Sequence, residues 1–435
     1  MGDLTKVVKR TQSRLRINSS LLHAQSLTSD TVRKSIQTNI NPTKKIAMRI
    51  LIISLWCLVQ TSAAQEATPF DYLQSAQQIA EGLIASAPGP LRPDYFFRVV
   101  QNLVKGLPSQ KANALTNAIC AAVIASGRNQ TPDRYAPRLE DIKFQLRTPC
   151  YKREYPVEDP SGLVLDPAFD INKRTVLFAT GWTTTVNNER HDSLSKAYNC
   201  RGDTNYLALD IGDYINTLYS WSAQNTDVLG KYVAEDIQRL SEFIDVSKLH
   251  LMGHSLGAQI MGSAARHYRL LTGQNLPYVT GLDPAFPCFN EGETLTTISA
   301  SDADFVDIIH TNIGVNGQYA AYGHVDFYVG GKFPIQNACI TQLCSHEIVW
   351  EYYTESVYPN NELNFLARRC NSLFSLQEGR CEGLESPMGY AVPRDISGRY
   401  MLDANSKKPY GKNATSDYTD PDTSPCGACA RIFNE

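Results

Sequence analysis

The sequence lacks an apolar run long enough to cross a membrane. Its most hydrophobic stretch, residues 50–59, spans ten residues, whereas a transmembrane helix needs about 20. The chain also lacks an excess of positive charge, because 41 Lys and Arg residues stand against 44 Asp and Glu residues. No overall positive field is present to attract a polyanion, so the composition argues against a nucleic-acid-binding protein.

The sequence also has little of the polar or repetitive composition of disordered and fibrous proteins. Of its 435 residues, 43% are hydrophobic and 20% are charged, and we find no internal repeat. These values are ordinary for a globular protein and exclude a largely disordered or collagen-like chain. The length suffices for two to three domains or for one large α/β domain with additions.

The stretch 50–59 is instead typical of a secretory signal peptide. Basic residues precede it and the small residues 62–64 follow it, as a cleavage site requires. We therefore predict a signal peptide over residues 48–64 and interpret residues 1–47 as an upstream extension that the working protein does not carry. The alternative is a mitochondrial transit peptide, because residues 1–47 are basic, rich in Ser and Thr, and poor in acids.

Cysteines and glycosylation sequons favour secretion over mitochondrial import. Removal of residues 1–64 takes away ten of the 41 basic and two of the 44 acidic residues, which leaves a net charge of about −11. Ten of the 11 cysteines remain, an even number that suits disulfide bonds in an oxidising compartment. Asn129 and Asn413 begin sequons and are predicted glycosylation sites. We expect a secreted, extracellular glycoprotein.

The hydrophobic pattern changes along the rest of the chain. Residues 69–126 have a helical pattern, and a link rich in Gly, Asn and Pro at 126–133 separates them from the longer C-terminal part. Beyond the link, short β-branched runs alternate with helical segments, which predicts βαβ units and a mainly parallel sheet. The predicted strands lie at 175–180, 205–210, 249–252, 278–281 and 305–309, with helices at 227–243 and 256–270.

These patterns predict an α/β fold with a helical N-terminal extension. We assign residues 65–132 to a helical preface or propeptide, residues 133–412 to the main α/β domain and residues 413–435 to a tail. A membrane-surface element and a cap packed on the main domain are the alternative interpretations of the preface.

A Gly-x-Ser-x-Gly motif, from Gly253 to Gly257, lies between a predicted strand and a predicted helix. This is the context of a nucleophile elbow, in which a tight turn raises the serine hydroxyl above the end of the sheet. The two glycines permit the turn. The helix directs its positive end and free N–H groups toward a developing oxyanion, with the Leu256 N–H as first donor. Ser255 is therefore the candidate nucleophile.

A serine nucleophile needs an orienting acid and a histidine, which come after it in that order in α/β-hydrolases. Asp283 stands at a predicted strand end, whereas Asp307 lies within a strand and is less free to reach a histidine. His346 is predicted in a loop beside a cysteine, while His310 ends a strand and His324 begins one. The pattern favours Asp283 and His346, with Asp307 and the other two histidines as open alternatives.

Five short motifs succeed one another between residues 140 and 410. They are Gly-His-Ser-Leu-Gly-Ala at 253–258, Gly-Leu-Asp-Pro-Ala at 281–285, Phe-Val-Asp-Ile-Ile-His-Thr at 305–311, Gly-His-Val-Asp-Phe-Tyr at 323–328 and Cys-Ser-His at 344–346. Together they resemble the pancreatic lipase family. The resemblance implies an α/β-hydrolase fold with a central, mainly parallel sheet. It also implies Ser255 as nucleophile, Asp283 as orienting acid and His346 as general base of a carboxylic-ester hydrolase.

The resemblance implies a second oxyanion donor as well, the backbone N–H of Trp182. The family has His-Gly at the end of the preceding strand, whereas this chain has Thr180 before the glycine. Gln259 likewise stands where relatives often have His. A backbone donor survives a change of side chain, and neither departure affects the triad.

The loops over the site imply a substrate class. In the family, a disulfide closes a lid just before the catalytic histidine, and a long lid accompanies activity on triacylglycerols. Here the corresponding pair, Cys339 and Cys344, encloses only four residues, and the stretch from His310 to His324 is also short. Both features resemble the phospholipase A1 branch, so we expect hydrolysis of glycerophospholipids at a membrane or lipid-droplet surface. Triacylglycerol and galactolipid esters are the alternatives.

The resemblance bears on bound groups and partners too. Cys370 and Cys381 match a family disulfide by their spacing. Of the family's calcium-binding acids only Asp302 is present, so we expect no metal, and no cofactor is implied. Too few residues lie beyond position 410 for the family's C-terminal β-sandwich, so we expect no colipase-type partner.

The last two cysteines form a C-x-x-C motif, Cys426-Gly-Ala-Cys429. This is the form of zinc and redox sites, but no second pair or nearby histidine supports either. A disulfide near the end of the chain is therefore expected. The sequence leaves open the partners of Cys120, Cys150, Cys200, Cys288, Cys426 and Cys429.

A non-catalytic lipid-binding or storage protein on the same fold, as insect yolk proteins are, is the rival interpretation. Fold does not fix function, so the site must decide. Yolk proteins lack the triad, whereas all three candidate residues are present here in their motifs. The sequence therefore favours the enzyme.

Overall fold

The computed structural model describes residue 131 and residues 133–217, 219–289 and 295–430. The predicted upstream extension, the signal peptide, residues 65–130 of the helical preface and the sequon at Asn129 lie outside the described residues. Within the described ranges, no helix combines the length and the apolar character that a membrane span requires.

Eleven described strands form one sheet. They are β1 (Lys143–Arg147), β2 (Lys152–Pro156), β3 (Arg174–Ala179), β4 (Thr204–Asp210), β5 (Leu249–His254), β6 (Leu276–Leu282), β7 (Ala303–His310), β8 (Val325–Val329), β9 (Leu366–Cys370), β10 (Glu385–Pro387) and β11 (Gly398–Leu402). Their order across the sheet is β10-β9-β11-β8-β7-β6-β5-β3-β4-β1-β2. The strands from β11 to β4 in this order run parallel, and the others pair antiparallel at the two edges.

Helices connect and flank the strands. Those in the described part of the chain are α1 (Ser161–Val164), α2 (Glu189–Arg201), α3 (Tyr219–Leu240), α4 (Leu256–Thr272), α5 (Gln342–Glu347), α6 (Val349–Val357) and α7 (Leu373–Gln377). Local sequence explains their ends. The Asn188 side chain accepts a hydrogen bond from the N–H of Arg190 and so caps the start of α2. Gly202 ends the same helix with a left-handed φ of 73°.

Each face of the sheet has its own hydrophobic core, because successive side chains of a strand point to opposite faces. Leu177 of β3 packs on one face with residues of α3 and α4. The next residue, Phe178, packs on the other face with Trp350 of α6, their ring centroids 4.5 Å apart. Burial on both faces explains the nearly continuous apolar runs of the parallel strands. The predicted α/β-hydrolase fold with a mainly parallel sheet is confirmed.

Most predicted elements of the sheet have the expected positions. The five predicted strands correspond to β3 to β7, and α4 starts at the predicted residue. Helix α3, however, begins at Tyr219, eight residues before the predicted start. Its first turns carry polar side chains that are buried and bonded, such as Asn225, whose Nδ2 donates to the Tyr214 carbonyl oxygen at 2.8 Å. A hydrophobic pattern does not detect such a buried polar face.

The segment assigned to a tail lies against the main domain as far as residue 430. Cys426 is bonded to Cys200 in α2, and Cys429 to Cys150 between β1 and β2. The C-x-x-C motif therefore contributes two long-range disulfides, and its cysteines are not bonded to each other. One bond therefore joins this segment to helix α2, and the other joins it to the connection between β1 and β2 at one edge of the sheet.

Candidate active site

Ser255 lies on the sharp turn between β5 and α4. Its φ of 55° and ψ of −119° form a conformation that costs energy for any residue with a side chain. Two hydrogen bonds of 3.1 Å hold the turn: the Ser255 N–H donates to the Leu282 carbonyl, and the Ser255 carbonyl accepts from the Ala285 N–H. The turn is thus tied to the segment that contains Asp283.

Two close backbone contacts explain the glycines of the motif. A methyl group on Gly253 would lie 2.2 Å from the carbonyl oxygen of Gly257, and one on Gly257 would lie 2.2 Å from the carbonyl oxygen of Ala179. Any larger residue would push α4 away from the ends of β3 and β5. The glycines therefore let the helix start directly beside the serine.

Asp283 and His346 are hydrogen-bonded. His346 Nδ1 lies 2.5 Å from Asp283 Oδ2, and both side chains are buried. Asp283 comes directly after β6, as the sequence predicted. His346 lies in helix α5, so the prediction of a loop at this position is wrong. The Thr341 side chain accepts a hydrogen bond from the N–H of Cys344, and this cap starts the helix.

The carboxylate of Asp283 is held from a second side. Its Oδ1 accepts the N–H of Thr311 at 2.8 Å and the N–H of Asn312 at 3.1 Å. These residues come directly after β7, so the ends of two neighbouring strands meet at the carboxylate. With Oδ1 bound in this way, Oδ2 is oriented toward the imidazole of His346.

Sequence reasoning missed the residues that join this acid to the helix of the histidine. The Asn312 side chain donates to the Pro334 carbonyl at 2.6 Å and to Oε1 of Gln342 at 2.5 Å. Gln336 Nε2 donates to the Thr311 carbonyl at 2.8 Å. Their partners are mostly backbone carbonyls, for which no residue pattern exists. Only the position of Asn312, directly after a family motif, could have indicated it.

His254, the residue before the serine, supports the histidine of the pair. Its Nε2 donates to the His346 carbonyl at 2.9 Å, and the two ring centroids are 4.6 Å apart. Burial lowers the pKa of His254 well below its ordinary value, so the ring is neutral at pH 7. A neutral ring adjacent to His346 adds no positive charge to it.

The alternative acid and histidines have other partners. Asp307 accepts a hydrogen bond from Thr280 Oγ1 at 2.5 Å inside the sheet, and burial raises the pKa of this carboxyl to about 7. His310 Nε2 lies 2.8 Å from an oxygen of Asp326. His324 Nδ1 accepts a backbone N–H at 3.0 Å. Of the candidates weighed from the sequence, the structure pairs Asp283 with His346.

The two expected oxyanion donors belong to the residue after the serine and to a loop that passes close to it. The Leu256 N–H is in the first turn of α4, a helix of 17 residues. Gly181 passes so close that a methyl group on it would lie 2.6 Å from Ser255 Cβ, which brings the next residue, Trp182, beside the serine. The Trp182 indole donates to the Thr217 carbonyl at 2.9 Å.

The loop after β3 has hydrogen bonds that support it, although Thr180 stands where the family has histidine. Thr180 Oγ1 donates to the Thr184 carbonyl at 3.1 Å, and the Thr184 N–H donates to the Gly181 carbonyl at 3.2 Å. Gln259 is also hydrogen-bonded at both ends of its side-chain amide: its Nε2 donates to the Ala285 carbonyl and its Oε1 accepts the Ile298 N–H. Both residues therefore organise loops around the site.

The segment before α5 and the first turn of that helix carry exposed apolar side chains. Ile340 is 97% exposed, Phe333 63% and Leu343 60%. The disulfide between Cys339 and Cys344, five positions apart in sequence, closes a short loop here. We call the three exposed residues the apolar rim, because they lie shortly before His346 in the sequence.

Other predicted sites are also placed. Cys370 and Cys381 are bonded, and the side chain of Asn413 is exposed. Among the described residues, no three His, Cys, Asp or Glu side chains are grouped as metal ligands would be. Asp302 instead binds Arg266, whose Nη1 lies 2.7 Å from its Oδ2.

Known proteins resemble this chain over part of their length. Vitellogenin-1 of Ceratitis capitata is 32% identical over 48% of this chain and 48% of its own. Pancreatic lipase-related protein 2 of Cavia porcellus is 31% identical over 59% of this chain and 61% of its own. A probable phospholipase A1, magnifin, of Vespa magnifica is 32% identical over 44% and 61%.

The chain thus spans about half the length of the vitellogenins that it matches. It spans about three fifths of the length of the pancreatic lipase-related protein and of the probable phospholipase A1. A model of the lipase family matches residues 114–410, which is more than half of the chain and contains the whole candidate site. The protein belongs to the lipase family.

Proposed function

We propose that the protein hydrolyses carboxylic esters of lipids, with Ser255 as nucleophile, His346 as general base and Asp283 as orienting acid. The observation that supports this most directly is the hydrogen bond between Asp283 and His346, next to a serine on a strained strand-to-helix turn. A carboxylate bound to Nδ1 fixes the tautomer in which Nε2 is free to accept a proton.

The proposed reaction has two halves. Ser255 Oγ attacks the acyl carbonyl carbon while its proton passes to His346 Nε2, and the N–H groups of Leu256 and Trp182 stabilise the oxyanion. His346 then gives the proton to the departing alcohol, which leaves an acyl-enzyme. Water attacks the acyl-enzyme in the same way, releasing the fatty acid and restoring Ser255. Asp283 stabilises the imidazolium in both halves.

Glycerophospholipids are the proposed substrate, cleaved as by a phospholipase A1. The short loop closed by Cys339 and Cys344 supports this, because a loop of this length would leave room for a headgroup. The apolar rim supports action at a membrane or lipid-droplet surface. One matching relative is also named as a probable phospholipase A1. Triacylglycerols and galactolipids remain the alternative esters.

The proposed location is outside the cell. Four disulfides join described cysteines, and such bonds persist in oxidising compartments. The predicted signal peptide and sequons agree with this location.

The deciding experiment compares two proteins, the chain from Met48 and its Ser255→Ala variant, both expressed in a secretory host. Fatty acid release is measured from phosphatidylcholine vesicles and from a triacylglycerol emulsion. Release from phosphatidylcholine that depends on Ser255 supports the proposal as stated. Ser255-dependent release confined to triacylglycerol contradicts the proposed substrate but not the proposed triad. Equal release by both proteins contradicts the proposed triad.

A second candidate function is lipid binding without catalysis, because vitellogenins are among the matching relatives. A fluorophosphonate probe distinguishes the two, since it labels only an activated serine. Labelling of the wild type and not of Ser255→Ala supports the enzyme. A folded wild type that binds lipid vesicles and takes up no probe supports the binding protein.

A further inference from the structure

The segment 311–317 curves around the carboxylate of Asp283. At its start, the N–H groups of Thr311 and Asn312 donate to Oδ1. At its end, Gly317 lies so close that a methyl group on it would come within 2.3 Å of Oδ1. We call this segment the cradle loop.

A hydrogen bond joins the two residues that flank the cradle loop. His310 Nδ1 lies 3.0 Å from the carbonyl oxygen of Gln318. Gln318 in turn binds the segment after Asp283: its N–H donates to the Pro284 carbonyl at 2.8 Å and its Nε2 to the Ala285 carbonyl at 3.0 Å. The His310 ring thus closes the base of the loop against the segment that contains the acid.

The other ring nitrogen of His310 faces a carboxylate. Nε2 lies 2.8 Å from Asp326 Oδ1, and both side chains are buried. The Asp326 oxygens also accept the N–H groups of Tyr322 and Gly323. The Tyr328 ring stacks on the imidazole, with centroids 4.4 Å apart. Asp326 and Tyr328 are the titratable groups that face the ring.

The partners of the His310 ring fix its orientation. A carbonyl oxygen only accepts hydrogen bonds, so Nδ1 donates to the Gln318 carbonyl. Asp326 bonds to the opposite ring nitrogen and is itself held by the N–H groups of Tyr322 and Gly323. The ring is therefore held from both sides, with Nδ1 directed at the end of the cradle loop.

We propose that His310, held by Asp326 through its other ring nitrogen, is a positioning residue that closes the cradle loop around Asp283. The inference rests on the proposed function, because it assigns His310 to the orientation of the catalytic acid. It gives a role to the His-Thr and Gly-His-Val-Asp motifs, which the triad does not use.

The first experiment examines the wild-type ring, so it does not depend on a variant that folds. Protein with 15N-labelled histidine is studied by NMR, and His310 is assigned by its contacts with the Tyr328 ring. We expect a proton on Nδ1 that exchanges slowly with solvent, because this nitrogen donates to the buried Gln318 carbonyl. A His310 ring without a proton on Nδ1 would overturn the proposal.

The second experiment compares His310→Gln and Asp326→Asn with a matched control, His250→Gln. His250 is also buried in the sheet, where its Nε2 binds Thr280 Oγ1 at 2.8 Å. We expect kcat/KM to fall about 100-fold in the two test variants, as for other small misplacements of catalytic groups. The acid limb of the pH profile should move to lower pH, because a displaced Asp283 stabilises the imidazolium less. The control should keep the wild-type profile.

A readout independent of catalysis separates this inference from the proposed function. The proton shared by His346 Nδ1 and Asp283 is followed as a low-field 1H resonance. Its displacement in His310→Gln, and not in His250→Gln, supports the cradle loop even if no ester is hydrolysed. Folded His310→Gln with an unchanged resonance and an unchanged pH profile overturns the inference and leaves the triad proposal intact.

Discussion

Asn312 connects the acid and the base of the candidate site through Gln342. Its Nδ2 lies 2.5 Å from Oε1 of Gln342, in the first turn of the helix that carries His346. Its backbone N–H binds Asp283. A single residue therefore sets the position of the carboxylate relative to the helix of the histidine, although the two are 63 positions apart in sequence.

Removal of the Asp283 charge should abolish most of the activity. We expect Asp283→Asn to lower kcat by about 10³- to 10⁴-fold, because an amide stabilises the wrong tautomer of the histidine. Asp307→Asn is the matched control, since Asp307 is equally buried and binds Thr280 instead of a histidine. Initial rates on a soluble short-chain ester measure both. Similar losses in the two variants would contradict the assignment of the acid.

The same control variant has a predicted effect on stability. The pKa of Asp307 rises from 3.8 in an unfolded chain to about 7 in the fold, because burial disfavours the charge. Its contribution to stability is therefore full below pH 3.8 and decreases as the pH rises toward 7. The Asp307→Asn variant has no carboxyl group to ionise at this position, so it does not lose this stability as the pH rises. The amide oxygen of the asparagine can still accept the hydrogen bond from Thr280.

We expect urea denaturation to show similar stabilities of wild type and Asp307→Asn at pH 4. At pH 8 the variant should be more stable by about 4 kcal/mol. A difference that does not change between pH 4 and pH 8 would show that Asp307 does not titrate in this range.

The apolar rim should matter for aggregated substrates only. Ile340→Ser with Leu343→Ser removes apolar area that would be buried in a lipid surface, so we expect about tenfold slower hydrolysis of vesicles. Hydrolysis of a dissolved short-chain ester should remain within about twofold of the wild type.

Leu270→Ser is the matched control for the rim. Leu270 is 76% exposed and lies about 21 Å along α4 from the serine end of the helix. It should leave both activities unchanged. Equal loss on vesicles from the control would indicate a general surface effect in place of a contact at the rim.

The long-range disulfides should stabilise the fold more than the short one does. Replacement of both Cys200 and Cys426 by Ser opens a link across 226 positions, whereas Cys339 and Cys344 are only five apart. Loop-closure entropy predicts a larger loss for the first pair, within about 2–5 kcal/mol. Thermal unfolding of the two double variants measures the order. A larger loss of stability for the Cys339 and Cys344 pair would indicate that the entropy of the unfolded chain is not the main source of the stabilisation.

Much of the fold and the elbow could be predicted because their signals are local. Parallel strands buried on both faces are apolar runs, and Ser255 is flanked by glycines that only a close strand–helix contact requires. Asp283 could be predicted for a similar reason, because it comes directly after a predicted strand. The local pattern favoured His346 without excluding His310 and His324, and the family resemblance then selected it.

The remaining features depend on which distant segments meet. Only tertiary structure shows that His310 binds Asp326 and that His346 binds Asp283. The helix around His346 was missed because a threonine cap inside a disulfide-closed loop starts it. Neither Gln336 nor the pairing of the final cysteines has a sequence pattern that identifies it.

The bond between Cys150 and Cys429 has a consequence for biosynthesis. One partner emerges from the ribosome 279 residues before the other, an interval on the order of 15–55 s at usual translation rates. The first thiol must stay reduced, or exchange with other thiols, until Cys429 has been synthesised. This bond therefore forms only after all the strands of the sheet have been made, and it requires a cellular oxidant at that stage.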